Sequence, residues 1–430
     1  MASALGIYVH FPWCLKKCPY CDFLSLAQPD RSVLPHESYA DQVLRELDAR
    51  LDQGFGELRG CNVGSVFFGG GTPSLWDPSA LGRVLVGILE RFPHHERCEI
   101  TVECNPTSLD LDHANRLADV GVNRLSLGIQ GTDDQRLKFL GRLHDAEAGL
   151  SALAQAVASR VPRVSGDLIF GVAGQTPAEA RQEVAQVADL GVEHLSAYSL
   201  TIEPGTQFGA LARKGRLPQL PDDLVAEAYL EVEAELARRG FVHYEISNYA
   251  QPGCESRHNL GYWRGSAYLG LGCGAWGTLA LGRSQLPWGS ELEEGALAVR
   301  YRNQPSAERY LAAGFGRAFS VGEGVRELEP LHAETLLSER LMLGLRLREG
   351  LDLGATLREL QLTLGEDRER AVRRALQAGM LEGVPEQGSL TGVEKETANS
   401  SIPALPLDLG RVRIPPAEWL RADAVITRLM

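Results

Sequence analysis

From Gly6 to about Leu200, short apolar runs alternate with longer stretches of helical periodicity. The runs Gly6–Phe11, Gly64–Phe68, Glu99–Glu103, Arg124–Ile129, Arg163–Phe170 and His194–Leu200 predict strands. Between the first two, roughly Glu37–Leu51, Tyr39, Val43, Leu44, Leu47 and Leu51 share one helical face. Pro78–Arg91, Leu109–Val120, Asp145–Arg160 and Pro177–Leu190 predict further helices. Gly121 and Gly191 each open the phrase Gly-Val-x-x-Leu-Ser, where glycine stops a helix before the next strand. Six strand–helix units predict a parallel sheet covered by helices. Polar or glycine-rich phrases end nearly every strand: Gly69-Gly70-Gly71-Thr72-Pro73, Glu103-Cys104-Asn105-Pro106, Gln130 and Glu203-Pro204-Gly205-Thr206. Asp167 lies within its strand. Such residues converge on one mouth in a barrel, whereas a doubly wound sheet concentrates them at one switch point. The predicted fold class is therefore α/β, a partial parallel (β/α)6 barrel.

Beyond Pro221 the texture changes. A helix over Asp222–Arg239 leads to Phe241–Tyr249, which reads as one strand. Gly270–Gly277 is rich in glycine, and Glu291–Arg309 reads as a charged exposed helix or connection. Helical patterns return at Thr335–Leu347, Leu353–Leu360 and Arg368–Ala378, followed by a wing. Glu382–Pro406 is broken by Pro and Gly and predicts a flexible insertion; Pro415–Met430 predicts a last helix. The expected domains are a barrel over 1–220, a barrel extension over 221–329 and a helical, winged-helix-like domain over 330–430.

Composition narrows the class. A chain of 430 residues with 44% hydrophobic and 23% charged residues is that of an ordinary globular protein. A net charge of −13 disfavours nucleic acid or an anionic membrane as the main partner, since both need a basic face. No window reaches the ~18 uninterrupted apolar residues of a membrane span. The start, Met1–Leu5, lacks the basic region of a secretory signal. Eight cysteines in a chain this long do not make a secreted disulfide framework, so the expected compartment is the reducing cytoplasm.

Three of those cysteines, Cys14, Cys18 and Cys21, sit at C-x3-C-x2-C spacing just after the first strand. Three thiolates on one loop can hold three irons of a cubane cluster and leave the fourth open to a small molecule. Structural zinc takes four ligands, and no fourth is paired with the triplet; His10 lies on the strand. On these residues alone, zinc and a cluster both stand. The glycines of Gly69–Pro73 let the backbone approach a ligand, or simply make a tight turn; they lack the G-x-G-x-x-G spacing of a dinucleotide site. Glu103 suits a ribose or an amino group, Arg142 a carboxylate. Asp167, set in an apolar strand, needs partners.

The cysteine triplet, the glycine phrase and the later Glu103, Gln130, Arg142 and Asp167 resemble the radical S-adenosylmethionine superfamily. Tyr8–Cys14, Gly69–Ser74 and Asp167–Gly171 are similar to oxygen-independent coproporphyrinogen III oxidase and its close relatives. The resemblance implies a [4Fe-4S] cluster on Cys14, Cys18 and Cys21, with S-adenosylmethionine on the open iron. In that superfamily the reduced cluster cleaves the sulfonium to a 5′-deoxyadenosyl radical and methionine. It further implies that Tyr8, Tyr20, Gly70, Gly71, Thr72 and Glu103 contact one S-adenosylmethionine. Gln130, Arg142 and Asp167 match residues around a second one in the oxidase.

One departure stands out. The oxidase pattern carries a fourth cysteine two residues after the third; here that residue is Phe23. Cys21-Asp22-Phe23 and His258-Asn259-Leu260-Gly261-Tyr262-Trp263 instead resemble the HemW-type haem chaperone branch. That branch implies haem as bound cargo and a haem-accepting partner such as a respiratory haem enzyme. It also implies an electron donor such as flavodoxin or ferredoxin, and peripheral membrane contact without a span. His258, Tyr262 and Trp263 are the candidate haem residues, with Cys254 and His243 as rival ligands. Arg257 and Arg264 are placed to meet propionates. The other reading of His258 is a packed, hydrogen-bonded histidine. Coproporphyrinogen oxidase activity and a structural zinc protein remain the alternatives to a chaperone.

Overall fold

A computed structural model describes residues 4–53, 56–280, 295–315, 324–384 and 410–430. They fall into two compact units. The first comprises Met1–His243, Ser247–Tyr262 and Ser266–Leu331; the second comprises Tyr244–Ile246, Trp263–Gly265 and His332–Met430.

In the first unit, β1 (Leu5–Phe11), β2 (Val63–Gly70), β3 (His94–Cys104), β4 (Arg124–Gln130), β5 (Arg163–Phe170) and β6 (His194–Ser199) lie side by side in that order. Every neighbouring pair is parallel. The connecting helices include α1 (His36–Gln53), α2 (Pro78–Arg91), α3 (Leu111–Asp119), α4 (Asp134–Phe139), α5 (Ala146–Val157) and α6 (Pro177–Asp189). Their starts are written locally. Asp77, Asp110 and Asp145 each accept a backbone N–H at a helix N-terminus, and Thr176 with Glu179 forms a capping box. In β1, Ile7, Val9 and Phe11 are fully buried on one face, leaving Tyr8 and His10 on the other.

The sheet runs further than six strands. The hairpin strands β7 (Val242–Glu245) and β8 (Asn248–Ala250) replace the single strand expected over Phe241–Tyr249. Strand β8 pairs antiparallel with β6. On the opposite side, β9 (Tyr268–Leu271) pairs parallel with β1, giving a seventh parallel strand. Antiparallel strands β10 (Trp276–Ala280), β11 (Ala298–Asn303) and β12 (Val325–Leu331) complete an order of twelve. Among the described residues no pairing joins the two ends, so the parallel core is an open partial barrel.

Strand β11 corrects the expected exposed helix or connection over Glu291–Arg309, whose residues 291–294 lie outside the described set. Its arginines, Arg300 and Arg302, alternate with buried Val299, Tyr301 and Asn303, so the charge belongs to one face of a strand. Helix α1 also departs from a simple amphipathic pattern. Glu46 and Arg50 lie on its buried face beside Tyr39 and Val43, and form an ion pair with both side chains fully buried. Glu46 also accepts from Asn303 Nδ2, Tyr310 OH and Gly272 N–H.

The second unit packs helices Ala333–Gly344, Leu353–Leu360 and Glu366–Gln377 around Leu337, Leu341, Val372, Trp419 and Ile426. A small antiparallel sheet places Arg411–Arg413 between Leu351–Asp352 and Glu382–Val384. The expected insertion therefore starts with a paired strand; its residues beyond Val384 lie outside the described set.

Candidate functional site

The cysteine loop leaves the carboxyl end of β1. Its base is closed by a two-residue parallel pairing of Trp13–Cys14 with Leu26–Ala27. The glycine phrase after β2 is laid against the same base: Gly71 N–H donates to Phe11 O and Thr72 N–H to Trp13 O, both at 2.8 Å. Gly70 has φ of 113°, and a Cβ there would lie 2.4 Å from the His10 ring. Only glycine meets both demands. The phrase is thus a turn that also positions the loop.

Cys14, Cys18 and Cys21 line one cavity of about 420 Å³ with Tyr20, Gly70, Gly71, Thr72, Glu103, Gln130, Arg142 and Asp167. Of the residues expected around S-adenosylmethionine, Tyr8 alone is not in this wall; it lines an adjoining cavity. Thr72 Oγ1 donates to Cys14 Sγ at 3.3 Å and Arg142 Nη1 to Cys18 Sγ at 3.5 Å. Burial pushes the Cys14 thiol up to about 11 and raises that of Cys21. Coordination to a metal removes the thiol proton outright. Glu103 accepts from Gly70 N–H at 3.0 Å. Burial and then the charge of Asp167 raise its carboxyl to about 7, against the pull of that N–H. Asp167 accepts from Ser126 at 2.9 Å and Ser165 at 3.2 Å, and burial raises its pKa.

Among the described residues no three His, Cys, Asp or Glu side chains are gathered as around a metal ion. The loop presents its thiols along one wall instead. Two buried polar atoms of that wall, Gln130 Oε1 and Arg142 Nε, have no partner. Gln130 also holds an unusual positive φ of 67°. Thiols that already accept hydrogen bonds, beside orphaned polar atoms, fit a thiolate-held cluster with a polar organic ligand next to it.

The adjoining cavity, about 520 Å³, shares Asp22, Phe23, Gly70, Glu103, Ser126, Asp167 and Tyr198 with the first. His258 and Tyr262 line it; Trp263 lines neither cavity. His258 opens the short helix Arg257–Trp263 at its second residue and is buried. Its Nδ1 bonds Ser65 Oγ at 2.8 Å and its Nε2 bonds Tyr262 OH at 2.9 Å. Phe67 stacks on the ring at 4.9 Å, and burial lowers its pKa to about 4. Both ring nitrogens are engaged, which is the arrangement of a packed, hydrogen-bonded histidine. Iron ligation would break one of those bonds. The rivals stand elsewhere: His243 stacks on Tyr249 at 4.0 Å, and neither His243 nor Cys254 lines the cavity. Arg257 donates to Arg97 O, and Arg264 pairs with Glu349 at 2.7 Å. Arg124, Tyr268, Trp276 and Arg302, none of them marked as site residues by the sequence, also line this wall. The one signal was an arginine and a serine inside the otherwise apolar Arg124–Ile129 run.

A profile of the Radical SAM superfamily matches residues 8–187, and one of the HemN C-terminal domain matches residues 331–384. With the three-cysteine loop at the mouth of an open parallel barrel, these define a radical SAM protein. The chain is 36% identical over 312 residues to the heme chaperone HemW of Haemophilus influenzae, covering 71% of this chain and 80% of that protein. It is 33% identical over 364 residues to HemW of Mycobacterium tuberculosis, covering 82% and 85%. The chain belongs to the HemW-type family within the superfamily. The solved structure of coproporphyrinogen III oxidase (HemN) from Escherichia coli shares the fold, with a TM-score of 0.72 at 18% identity over 100% of this chain and 90% of that one. A [4Fe-4S] cluster and S-adenosylmethionine follow from the superfamily.

Proposed function

We propose that this protein is a haem chaperone, which binds haem and passes it to an acceptor protein. The observation that carries the reading is the similarity, over 80–85% of their length, to relatives named heme chaperones. Phe23 supports it: where the oxidase pattern has a fourth cysteine, this chain offers an exposed phenyl ring that lines both cavities. In this reading Cys14, Cys18 and Cys21 hold the [4Fe-4S] cluster, which supplies one-electron reduction when bound. Glu103 faces the ammonium of S-adenosylmethionine, and Arg142 a carboxylate. Asp167 and Gln130 offer acceptors on the same wall. The acceptor would be a haem enzyme such as a respiratory one, the electron donor a flavodoxin or ferredoxin, and the compartment the cytoplasm. The reading includes peripheral membrane contact without a span; no described helix is long and apolar enough to cross a membrane.

Titration of the anaerobically reconstituted protein with haem tests the reading. A saturable Soret change near one haem per chain is expected; none at all would sink it. A second reading, oxidative decarboxylation of coproporphyrinogen III to protoporphyrinogen IX, is favoured by Gln130, Arg142 and Asp167 sharing one wall. An anaerobic assay for the decarboxylated product separates the two.

A further inference from the structure

Arg124 stands at the start of β4, and its side chain is 2% exposed. It lines the cavity of about 520 Å³. Among the described residues its guanidinium makes no hydrogen bond and no ion pair. The other buried or half-buried arginines differ. Arg50 is held by Glu46, Arg136 by Glu183, and Arg163 by Glu99 and Glu193. A buried guanidinium without a partner is costly unless something arrives to pair with it. Glu103 and Asp167 feel its field and share the wall, yet neither reaches ion-pair distance.

The rest of the wall carries the carboxyl groups of Asp22, Glu103 and Asp167 on one part and a largely aromatic surface on another. Tyr8, Phe67, Tyr262 and Tyr268 are aromatic lining. The large aromatic side chains exposed among the described residues are Phe23 (64%), Tyr198 (40%) and Trp276 (37%), and all three line this cavity. Arg302 lies over the Trp276 ring at 5.4 Å and pairs with Glu327, while its buried Nε has no partner. The volume is within the range of about 300–1,000 Å³ that holds small ligands.

We propose that this cavity binds a planar, carboxylate-bearing ligand, whose carboxylate pairs with Arg124 while its flat body lies among the aromatic side chains. A guanidinium and a carboxylate match as a two-pronged hydrogen-bonded pair, and aromatic faces favour a flat apolar body. No existing ion pair has to break for the ligand to enter. For the ligand's identity the inference rests on the chaperone reading, since haem is flat and carries two propionates. The role of Arg124 does not depend on iron.

The test uses the cluster-loaded full chain and three probes: haem, iron-free mesoporphyrin IX, and mesoporphyrin IX dimethyl ester, which lacks free carboxylates. Soret absorbance and porphyrin fluorescence report binding. The ester should bind at least about tenfold more weakly than the acid. Arg124→Gln should weaken the acid by a similar factor and leave the ester unchanged, so that the difference disappears. Equal binding of acid and ester, or a difference that persists in Arg124→Gln, overturns the proposal. If Arg124→Gln fails to fold, a crystal structure of the mesoporphyrin complex must show a carboxylate within hydrogen-bond reach of Arg124; a carboxylate elsewhere overturns it. Haem binding with no dependence on carboxylates leaves the chaperone reading standing and removes this one. Arg124-dependent binding of mesoporphyrin without haem binding does the reverse. No binding of any probe removes both.

Discussion

His10 donates from Nε2 to the carbonyl of Leu24 at 2.9 Å, tying strand β1 to the far end of the cysteine loop. A carbonyl only accepts, so Nε2 carries the proton. Burial lowers the imidazole pKa to about 4, and the neutral ring therefore accepts at Nδ1 from Tyr8 OH at 2.9 Å. His10 thus ties down the loop that carries the three cysteines. His10→Ala should cost about 1–3 kcal/mol by orphaning a buried partner. It should also lower the iron and sulfide retained per chain after anaerobic reconstitution. Full iron content in a folded His10→Ala variant would show that the loop holds its shape alone.

Gly70 and Gly174 separate backbone strain from crowding. Both have positive φ, 113° and 81°, but a Cβ at Gly174 would meet nothing within 4 Å. Each alanine variant should lose about 1 kcal/mol or more from left-handed strain. Gly70→Ala must also displace the His10 ring, so its loss should exceed that of Gly174→Ala. Urea unfolding midpoints of the two variants check the order; equal losses would mean that His10 yields freely.

Glu103 predicts opposite pH trends for stability and ligand binding. Its folded pKa, about 7, is raised above the ordinary carboxylate value chiefly by burial. The proton it retains stabilises the folded chain below the ordinary carboxylate range, and that contribution is lost as pH rises through about 7. On its proposed role, S-adenosylmethionine needs the ionised form. Affinity measured by calorimetry should therefore tighten between about pH 6 and 8. Glu103→Gln should bind more weakly and flatten the profile; an unchanged slope would move the titration to another group.

The Glu46–Arg50 pair anchors α1 to β11 and the segments around it. Glu46→Gln removes the charge but leaves Arg50 buried, and should cost about 3–5 kcal/mol in urea unfolding. The double replacement Glu46→Leu with Arg50→Met should cost less than Glu46→Gln alone, because no charge is then stranded. A Glu46→Gln loss below about 1 kcal/mol would show that the network relaxes onto other acceptors.

Local pattern was enough for much of the fold. Helix α2 and strand β5 occupy the expected Pro78–Arg91 and Arg163–Phe170 to the residue. Asp77 before Pro78 announces the helix, and an apolar run announces the strand. The cysteine loop was legible because its three cysteines are neighbours in sequence. The seventh parallel strand was not: Tyr268–Leu271 is four residues long, and its place beside β1 depends on pairing across more than half the chain.

The same division holds at the site. By itself the sequence determined which residue types reach the mouth of the sheet, since strand ends and turns follow from neighbours along the chain. The chain also carries Phe23 where a fourth cysteine would otherwise stand. Only the tertiary structure decided which polar groups find partners. His258 meets Ser65 across 193 residues and is satisfied. Arg50 meets Asn303 across 253 residues. Arg124, an ordinary arginine in the sequence, is left buried without a partner against an aromatic-lined cavity. Partnering is set by segments distant in sequence, and burial, which makes a missing partner costly, exists only once those segments have packed.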